Sequence, residues 1–182
     1  MKKFSVIMTI DKKNGIGNKD GFAWVIKADN DRLEEITSKT KDLGKLNAVI
    51  MGRRIWESIP SSNKPLSDRI NCIVSKKLLM ENNGSKIDDF VLHFNSFEHA
   101  LEEIENKENV EDIYIIGGSS VFEKALEHKN LDKIYLTEID NNFKCERSVE
   151  FDKSNYELLE KGEWQEENGI KFRFSLLQNK KS

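Results

Sequence analysis

Runs of apolar residues and amphipathic segments alternate along most of the chain. Near-continuous apolar runs rich in Val, Ile and Phe are typical of strands buried on both faces. Such runs lie at 3–10, 46–51, 70–75, 90–94, 112–116, 133–139 and 171–177. Between them, helical spacing of apolar positions predicts helices, as in SFEHALEEIEN, where Phe97, Leu101 and Ile104 share one face. This order predicts an α/β fold with a mixed, mostly parallel central sheet flanked by helices and antiparallel strands at the C-terminus.

The segment FAWVIKADNDRLEEI places an acidic residue on the apolar face of a predicted helix. Asp29 lies four residues before Leu33 and therefore shares a face with Leu33 and Ile36. One interpretation makes Asp29 the N-cap of the helix. Asp31 fits that role better, because Glu34 three residues later would complete a capping box. Asp29 would then be free to point into a pocket as a functional carboxylate.

Length and composition are those of a soluble globular chain. With 182 residues, of which 37% are hydrophobic and 34% charged, we expect one domain spanning 1–182 with a very polar surface. A net charge of −3 without a long basic run argues against broad nucleic-acid binding. The apolar run near the N-terminus is too short for a signal peptide, and no segment is long enough to span a membrane. We therefore expect a cytoplasmic protein with neither a membrane nor a nucleic-acid partner.

The two cysteines show no sign of metal or disulfide chemistry. Cys72 lies in the apolar run RINCIVS and Cys145 in the polar segment FKCERS, and neither has a CxxC partner or a nearby histidine. We expect two free thiols, as in a reducing compartment, and no metal site.

Three predicted strands end in residues that suit an anion. These ends read MGRRIW, VSKK and IIGGSS. Each signal alone is weak, because a basic pair is usually a solvated face and a double glycine is often a tight turn. The carboxyl ends of parallel strands meet at one edge of a sheet, so together they indicate one extended polyanion such as a dinucleotide. No Walker A motif and no GxGxxG in a strand–helix turn is present, which disfavours a standard Rossmann site.

The ordered set of motifs resembles dihydrofolate reductase. The chain contains, in the family's order, GIGNKDGFAW, KADNDRLEEIT, NAVIMGRRIWESIP, NKPLSDRINCIVS, IYIIGGSSVFEKAL, IYLTEI and GIKFRFSLL. The resemblance covers nearly the whole chain and implies a central eight-stranded sheet with four flanking helices, in a protein that is usually a monomer. It also implies NADPH-dependent reduction of 7,8-dihydrofolate to tetrahydrofolate, in one-carbon and thymidylate metabolism, and antifolate inhibitors as ligands.

The resemblance gives Asp29 the role of the pterin-binding carboxylate. Asp29 would hydrogen-bond the amino group and ring N3 of the pterin and so promote protonation of N5, while C6 receives a hydride from NADPH. Trp24 would help to position a water molecule near this carboxylate, and Thr137 would hydrogen-bond to it. These three residues are the expected catalytic residues.

The resemblance also assigns two sets of binding residues. Arg69 would bind the α-carboxylate of the substrate's glutamate, a role that suits its planar fork of donors. The expected substrate-binding residues are Ile7, Met8, Asp29, Leu33, Ile59, Asn63, Leu66, Arg69, Ile116 and Thr137. The expected NADPH-binding residues are Thr9, Ile16, Gly52, Arg53, Arg54, Ile55, Val74, Ser75, Lys76, Gly117, Gly118, Ser119, Ser120, Val121 and Phe122. A cis peptide is expected between the two adjacent glycines.

Several positions depart from the family pattern. Asn30 and Leu33 occupy positions that usually carry apolar or aromatic residues, Ile55 replaces a usual Thr, and Phe122 replaces a usual Tyr. These departures bear on the affinity for substrate and inhibitors.

Two other functions are compatible with these residues. One is a pyrimidine reductase of riboflavin synthesis, which shares this sheet but needs a phosphorylated ribose substrate; Arg69 and the segment IPSSNKPL favour folate instead. The other is a non-catalytic NADPH-binding protein, which Asn30 and Leu33 support to some degree.

Overall fold

The computed structural model describes residues 2–18, 21, 23–76 and 90–181. Lys77, at the end of the VSKK motif, lies outside the described residues. The strands are β1 (Phe4–Ile10), β2 (Gly15–Gly17), β3 (Leu46–Gly52), β4 (Arg69–Val74), β5 (Val91–Phe94), β6 (Val110–Gly117), β7 (Leu131–Ile139), β8 (Arg147–Ser148), β9 (Tyr156–Lys161), β10 (Gln165–Glu167) and β11 (Ile170–Asn179). The helices are α1 (Lys27–Ser38), α2 (Arg53–Ser58), α3 (Phe97–Glu105) and α4 (Ser119–Glu127), and 3-10 turns lie at Ser61–Asn63 and Lys153–Asn155.

The main sheet has the strand order β10-β11-β7-β1-β6-β3-β4-β5, and β9 also pairs with β11. β9 pairs with the C-terminal half of β11 and β10 with its N-terminal end, so these two short strands share one position across the sheet. β11 is antiparallel to β7, whereas the pairings among β1 and β3 to β7 are all parallel. The expected eight-stranded, mostly parallel sheet is therefore confirmed, together with four helices among the described residues.

Side chains of successive residues point to opposite faces of the sheet and build two apolar clusters. Along β1, Val6 and Met8 lie in the cluster that α3 and α4 cover, whereas Ile7 lies in the cluster on the side of α1. Ser96 caps α3 by accepting the N–H of His99 at 3.1 Å, so this helix begins where the sequence indicates.

Helix α1 begins at Lys27, earlier than the capping signals predict. Glu167, from β10, accepts the first two N–H groups of the helix at 2.5 and 3.1 Å. The capping roles considered for Asp29 and Asp31 are both wrong, because both residues lie inside the helix and Asp31 pairs with Lys27 at 2.5 Å. The acceptor comes from a residue 140 positions away in sequence, beyond the reach of a local pattern.

The glycine-bearing segment GIGNKDG supplies β2, which pairs with β8 in a second, two-stranded sheet. Among the described helices, none combines the length and apolar character that crossing a membrane requires.

Candidate active site

The carboxylate of Asp29 extends from α1 to the strands β1 and β7, where two hydroxyl groups hold it. Thr9 Oγ1 donates to Oδ2 at 2.6 Å, and Thr137 Oγ1 donates to Oδ1 at 2.6 Å. Thr9 and Thr137 are register partners on neighbouring parallel strands, so their side chains project from the same face. Each hydroxyl donates its single hydrogen to Asp29 in a hydrogen bond. The carboxylate keeps further lone pairs that can accept hydrogen bonds from a ligand.

Apolar residues form a wall on this face of the sheet. Ile7 belongs to the buried cluster beneath α1, and Leu33, Ile59, Leu66 and Ile116 are partly buried against that cluster. These residues come from β1, α1, the loop after α2 and β6, and the fold brings them together as the resemblance implies. An apolar wall with one carboxylate suits a flat ring that carries a few N–H donors.

Three nearby residues do not join this wall. The side chain of Met8 is buried in the cluster on the opposite face of the sheet, which leaves only its backbone for a ligand on this face. Asn63 is exposed in a 3-10 turn. Asn30 is exposed on α1, so its polarity incurs no burial cost where an apolar residue is usual.

Trp24 is buried just before α1. It packs with Ile26, Ile139 and Phe172, and its ring centroid lies 5.4 Å from that of Phe143. This packing fixes the path of the chain into α1 and so helps to place Asp29.

Arg69, at the start of β4, is buried and tied to the end of α1. Its Nη1 donates to Thr37 Oγ1 at 2.8 Å, and its Nε donates to a backbone carbonyl two residues earlier at 2.7 Å. Burial lowers the pKa of Arg69, and the charges of Glu34 and Asp68 oppose that change. Arginine stays charged in proteins, so Arg69 presents a fixed cationic fork suited to a carboxylate.

Two buried asparagines hold the end of α1 and the loop that carries Leu66. The sequence patterns did not identify these asparagines. Asn47 in β3 donates to the carbonyls of Thr37 and Lys39 at 3.0 and 2.8 Å, which fastens the end of α1. Asn71 in β4 exchanges two hydrogen bonds of 3.0 Å with the backbone of Leu66. The available signal was an asparagine in each otherwise apolar strand, because a buried amide needs hydrogen-bond partners.

Arg32, another residue that the pattern did not identify, fastens α1 to the sheet on its other side. Its guanidinium donates to the carbonyls of Leu136 and Ser175 at 3.2 and 3.3 Å and lies 4.3 Å from the centroid of the Phe174 ring. Burial lowers the pKa of Arg32, while the charge of Asp29 opposes that change. Helix α1 is thus anchored to β7 and β11 close to Asp29.

The three strand ends expected to bind an anion meet at one edge of the sheet. β6, β3 and β4 are neighbours, run parallel and end at Gly117, Gly52 and Val74. A Cβ on Gly52 would lie 3.5 Å from the Gly118 nitrogen, and one on Gly117 would lie 3.0 Å from the Phe122 ring. Gly117 has a φ of 112°, which favours glycine, and the expected cis peptide between Gly117 and Gly118 is confirmed. The glycines leave a backbone cradle that side chains would fill.

The cationic side chains at this edge are open to solvent. Arg54 and Lys76 are exposed, and Arg53, whose side chain is 33% exposed, pairs with Glu57 at 2.5 Å. Among the remaining expected cofactor residues, Thr9 lies beside Asp29, to which its hydroxyl donates. Ile16, Ile55, Val74, Ser75 and Ser119 are partly buried, Val121 and Phe122 are buried, and Ser120 is exposed.

Arg147, which the sequence did not single out, lies beside the start of α4. Its Nη1 donates to Ser119 Oγ at 3.3 Å, and β8 pairs it with Gly17. Its Nε is buried without a hydrogen-bond partner among the described residues. Buried N–H groups are rarely unpaired, so a donor here, next to a helix N-terminus, fits an anionic ligand. The glycine cradle and this donor fit the pyrophosphate of a dinucleotide.

Comparisons with known proteins identify the family of this chain. A family model described as "Dihydrofolate reductase" matches residues 3–179. The chain is 34% identical to the "Dihydrofolate reductase" of Heliothis virescens, with 94% of this chain and 95% of that protein covered. It is 31% identical to the "Dihydrofolate reductase" of Rattus norvegicus, with 99% of each covered. Among solved structures, "Schistosoma mansoni Dihydrofolate reductase" superposes with a TM-score of 0.84 at 32% identity, covering 98% of each chain. The chain therefore belongs to the dihydrofolate reductase family, a family of oxidoreductases.

Proposed function

We propose that this chain catalyses the NADPH-dependent reduction of 7,8-dihydrofolate to tetrahydrofolate. The observation that carries the proposal is Asp29, a half-buried carboxylate held by Thr9 and Thr137 beside an apolar wall. The family membership supports the same reaction.

Asp29 binds and orients the pterin. Both of its oxygens accept a threonine hydroxyl, so the carboxylate keeps one orientation and needs little reorganisation when a ligand arrives. Its remaining lone pairs accept the amino group and the ring N3–H of the pterin. This pairing favours the ring form that takes a proton at N5, so Asp29 promotes protonation at that atom.

The apolar wall and Arg69 bind the rest of the substrate. Leu33, Ile59 and Leu66 provide a partly buried surface for the benzoyl ring. Arg69 pairs with the α-carboxylate of the glutamate through donors that Thr37 orients. The wall also excludes water from the pterin, which strengthens its hydrogen bonds to Asp29.

The glycine cradle and its cations hold the cofactor. When bound, NADPH supplies the hydride. The backbone at Gly52 and Gly117, together with Ser119 and Arg147, binds the pyrophosphate. Three cations follow the ends of β3 and β4 and bind the additional phosphate that distinguishes NADPH from NADH: Arg53, Arg54 and Lys76.

The test is a steady-state assay of NADPH oxidation by the purified, folded chain with dihydrofolate. We expect turnover with dihydrofolate and none with an aminopyrimidine that carries a phosphorylated ribose. The reverse preference would favour the pyrimidine reductase, and NADPH binding without pterin binding would favour a non-catalytic protein. The cytoplasmic location and the monomeric state stay predictions, which fractionation and sedimentation would check.

A further inference from the structure

Asp11 is a buried carboxylate that the proposed reaction does not use. It follows β1 directly and is 3% exposed. Its Oδ1 accepts the N–H groups of Lys13 and Gly15 at 2.8 Å each, and its Oδ2 accepts the N–H of Phe143 at 3.0 Å. The thiol of Cys145 donates to Oδ2 as well, at 3.8 Å. One side chain therefore joins two segments that are 132 residues apart.

The two segments joined by Asp11 also meet along their backbones. Lys12 N–H donates to the carbonyl of Asn141 at 2.9 Å, and Val149 N–H donates to the carbonyl of Asn14 at 3.0 Å. This contact between residues 11–15 and residues 141–149 is called the seam below. Asp11 lies at its centre, because one of its oxygens accepts from Gly15 on one side and the other accepts from Phe143 on the other side.

Gly15 shows that this close approach is specific. A Cβ on Gly15 would lie 2.8 Å from Cys145 Cβ and 2.9 Å from Asp11 Oδ1, distances that real Cβ atoms essentially never show. Any other residue at position 15 would push the carboxylate or Cys145 away. The pairing therefore requires both the glycine and the acid.

The seam borders the proposed cofactor site. β2, which begins at Gly15, pairs with β8, and β8 carries the Arg147 that reaches Ser119 at the start of α4. Ile16, in the middle of β2, packs against the cluster that contains Val121 and Phe122. A change in the position of β2 would therefore move both an apolar side chain and a cation of that site.

We propose that Asp11 is a positioning residue that fixes β2 and β8 over the cofactor site, so that Ile16 and Arg147 are in place before NADPH binds. This inference rests on the proposed function. Burial would raise the pKa of Asp11, but the N–H donors of Lys13, Gly15 and Phe143 outweigh it and lower that pKa, which keeps the acid ionised as an acceptor. Asparagine is nearly the same size, yet its NH₂ would face one of these donors and leave it unpaired.

The test compares Asp11→Asn with Asp140→Asn. Asp140 is an exposed acid beside the same seam, and it pairs with Lys12 at 2.6 Å. Both variants remove one negative charge, but only Asp11→Asn removes a buried acceptor. The readouts are amide hydrogen exchange at residues 15–17 in the ligand-free chain, dissociation constants for NADPH and dihydrofolate, and the single-turnover rate of hydride transfer.

For Asp11→Asn, we expect exchange at 15–17 and the NADPH dissociation constant to rise on the order of tenfold, because a buried donor loses its partner. Hydride transfer slows as well, while the dihydrofolate dissociation constant and the exchange of core amides in β3 stay near the wild-type values. Asp140→Asn stays close to wild type in every readout. Unchanged exchange at 15–17, an equal rise throughout the core, or unchanged NADPH affinity would each overturn the role of Asp11. Because exchange is measured without ligands, it reports on Asp11 even if the chain does not reduce dihydrofolate.

Discussion

The proposed pterin-binding side and the proposed phosphate-binding side of this site are built in opposite ways. On the pterin side, Asp29 is half-buried, and each of its oxygens already has a hydrogen-bond partner. On the phosphate side, Arg54 and Lys76 are exposed, and Arg53 pairs with a glutamate of its own helix. On the first side the carboxylate is held before a ligand arrives, whereas on the second side Arg54 and Lys76 extend into solvent.

This difference follows from what each ligand part demands. A flat ring that must present one face to a hydride donor needs a carboxylate in a single orientation, and misplacement slows the reaction steeply. Cationic side chains can bind a phosphate from many directions, so exposed arginines and lysines are sufficient to bind it. Salt weakens the attraction between such exposed charges and the phosphate. We therefore expect substitutions on the pterin side to act on the rate and those on the phosphate side to act on affinity.

The substitution with the largest expected effect is Asp29→Asn. The amide keeps the size but loses an acceptor and the charge, so we expect kcat/KM for dihydrofolate to fall by about 10²- to 10⁴-fold. NADPH affinity should be unchanged. Stopped-flow hydride transfer and fluorescence titration with NADPH measure the two quantities. Asp31→Asn, which removes an exposed acid from the same helix, is the matched control, and an equal loss in both variants would contradict the role of Asp29.

The second largest effect is expected at Arg69, which we propose binds the glutamate end of the substrate. Arg69→Lys keeps the charge but loses the fork, so we expect dihydrofolate affinity to fall by about 10- to 100-fold, the cost of a lost hydrogen bond to a charged group. A dihydropterin without the glutamate tail should bind equally to the variant and the wild type. Calorimetric titration with both ligands checks this difference. A similar loss for both ligands would show that Arg69 supports the fold of the pocket instead of binding the tail.

A smaller effect is expected on the phosphate side at Arg147. Arg147→Met should raise the NADPH dissociation constant by about tenfold, because the buried Nε and its charge are lost, with little change in the hydride-transfer rate at saturation. The effect should shrink as salt rises. Lys129→Met removes an exposed cation beyond the other end of α4 and should leave NADPH binding unchanged. A rate loss at saturating NADPH would show that the two sides are not separate.

The smallest functional effect is expected at Glu138, which follows Thr137 on β7 and faces the other side of the sheet. Glu138 accepts hydrogen bonds from Arg173 at 2.8 Å, from Ser175 at 3.1 Å and from Lys153. Burial would raise the pKa of Glu138, but Arg173 and Lys153 outweigh it and lower that pKa from 4.5 to about 2. Glu138→Gln should lower the free energy of unfolding by about 1–3 kcal/mol at neutral pH without slowing hydride transfer.

The pH dependence of this loss has a definite sign. Because the pKa of Glu138 is lower in the folded chain, its contribution to stability is full above pH 4.5 and is lost as the pH falls towards 2. Urea unfolding of wild type and variant should therefore differ at pH 7 and converge near pH 2. An equal difference at both values would mean that the charge of Glu138 does not stabilise the fold.

Local patterns predicted most of the elements but not their ends. The apolar runs placed the parallel strands, since strands covered on both faces are apolar throughout. They did not separate β8, β9 and β10, which are short and mostly exposed. The start of α1 was predicted wrongly, because its cap is Glu167 of β10 and no nearby residue. Elements that bury a face leave a periodic signal, whereas contacts between distant segments leave none.

The candidate functional residues also divide into those that sequence patterns indicate and those that only contacts between distant segments reveal. Periodicity placed Asp29 on the inward face, and the ordered motifs gave it a proposed role. The two threonines that hold it, the asparagines that fasten α1 and the loop at Leu66, and Arg147 beside α4 depend on strands that meet only in the folded chain. Asp11 could not be distinguished by sequence from an ordinary turn acid, because its partner Phe143 lies 132 residues away.

The sequence by itself determined the alternation of strands and helices, the inward face of α1 and the family, because these depend on local spacing and on the order of motifs. The hydrogen bond from Thr137 to Asp29, which the resemblance implied, is confirmed. Only the tertiary structure decided that Thr9 also donates to Asp29, which donors meet Asp11, how Arg69 is oriented, and that Asn30 lies at the surface. The physical reason is that hydrogen bonds form between groups a few ångströms apart in space, and the sheet sets those distances by pairing strands from distant parts of the chain.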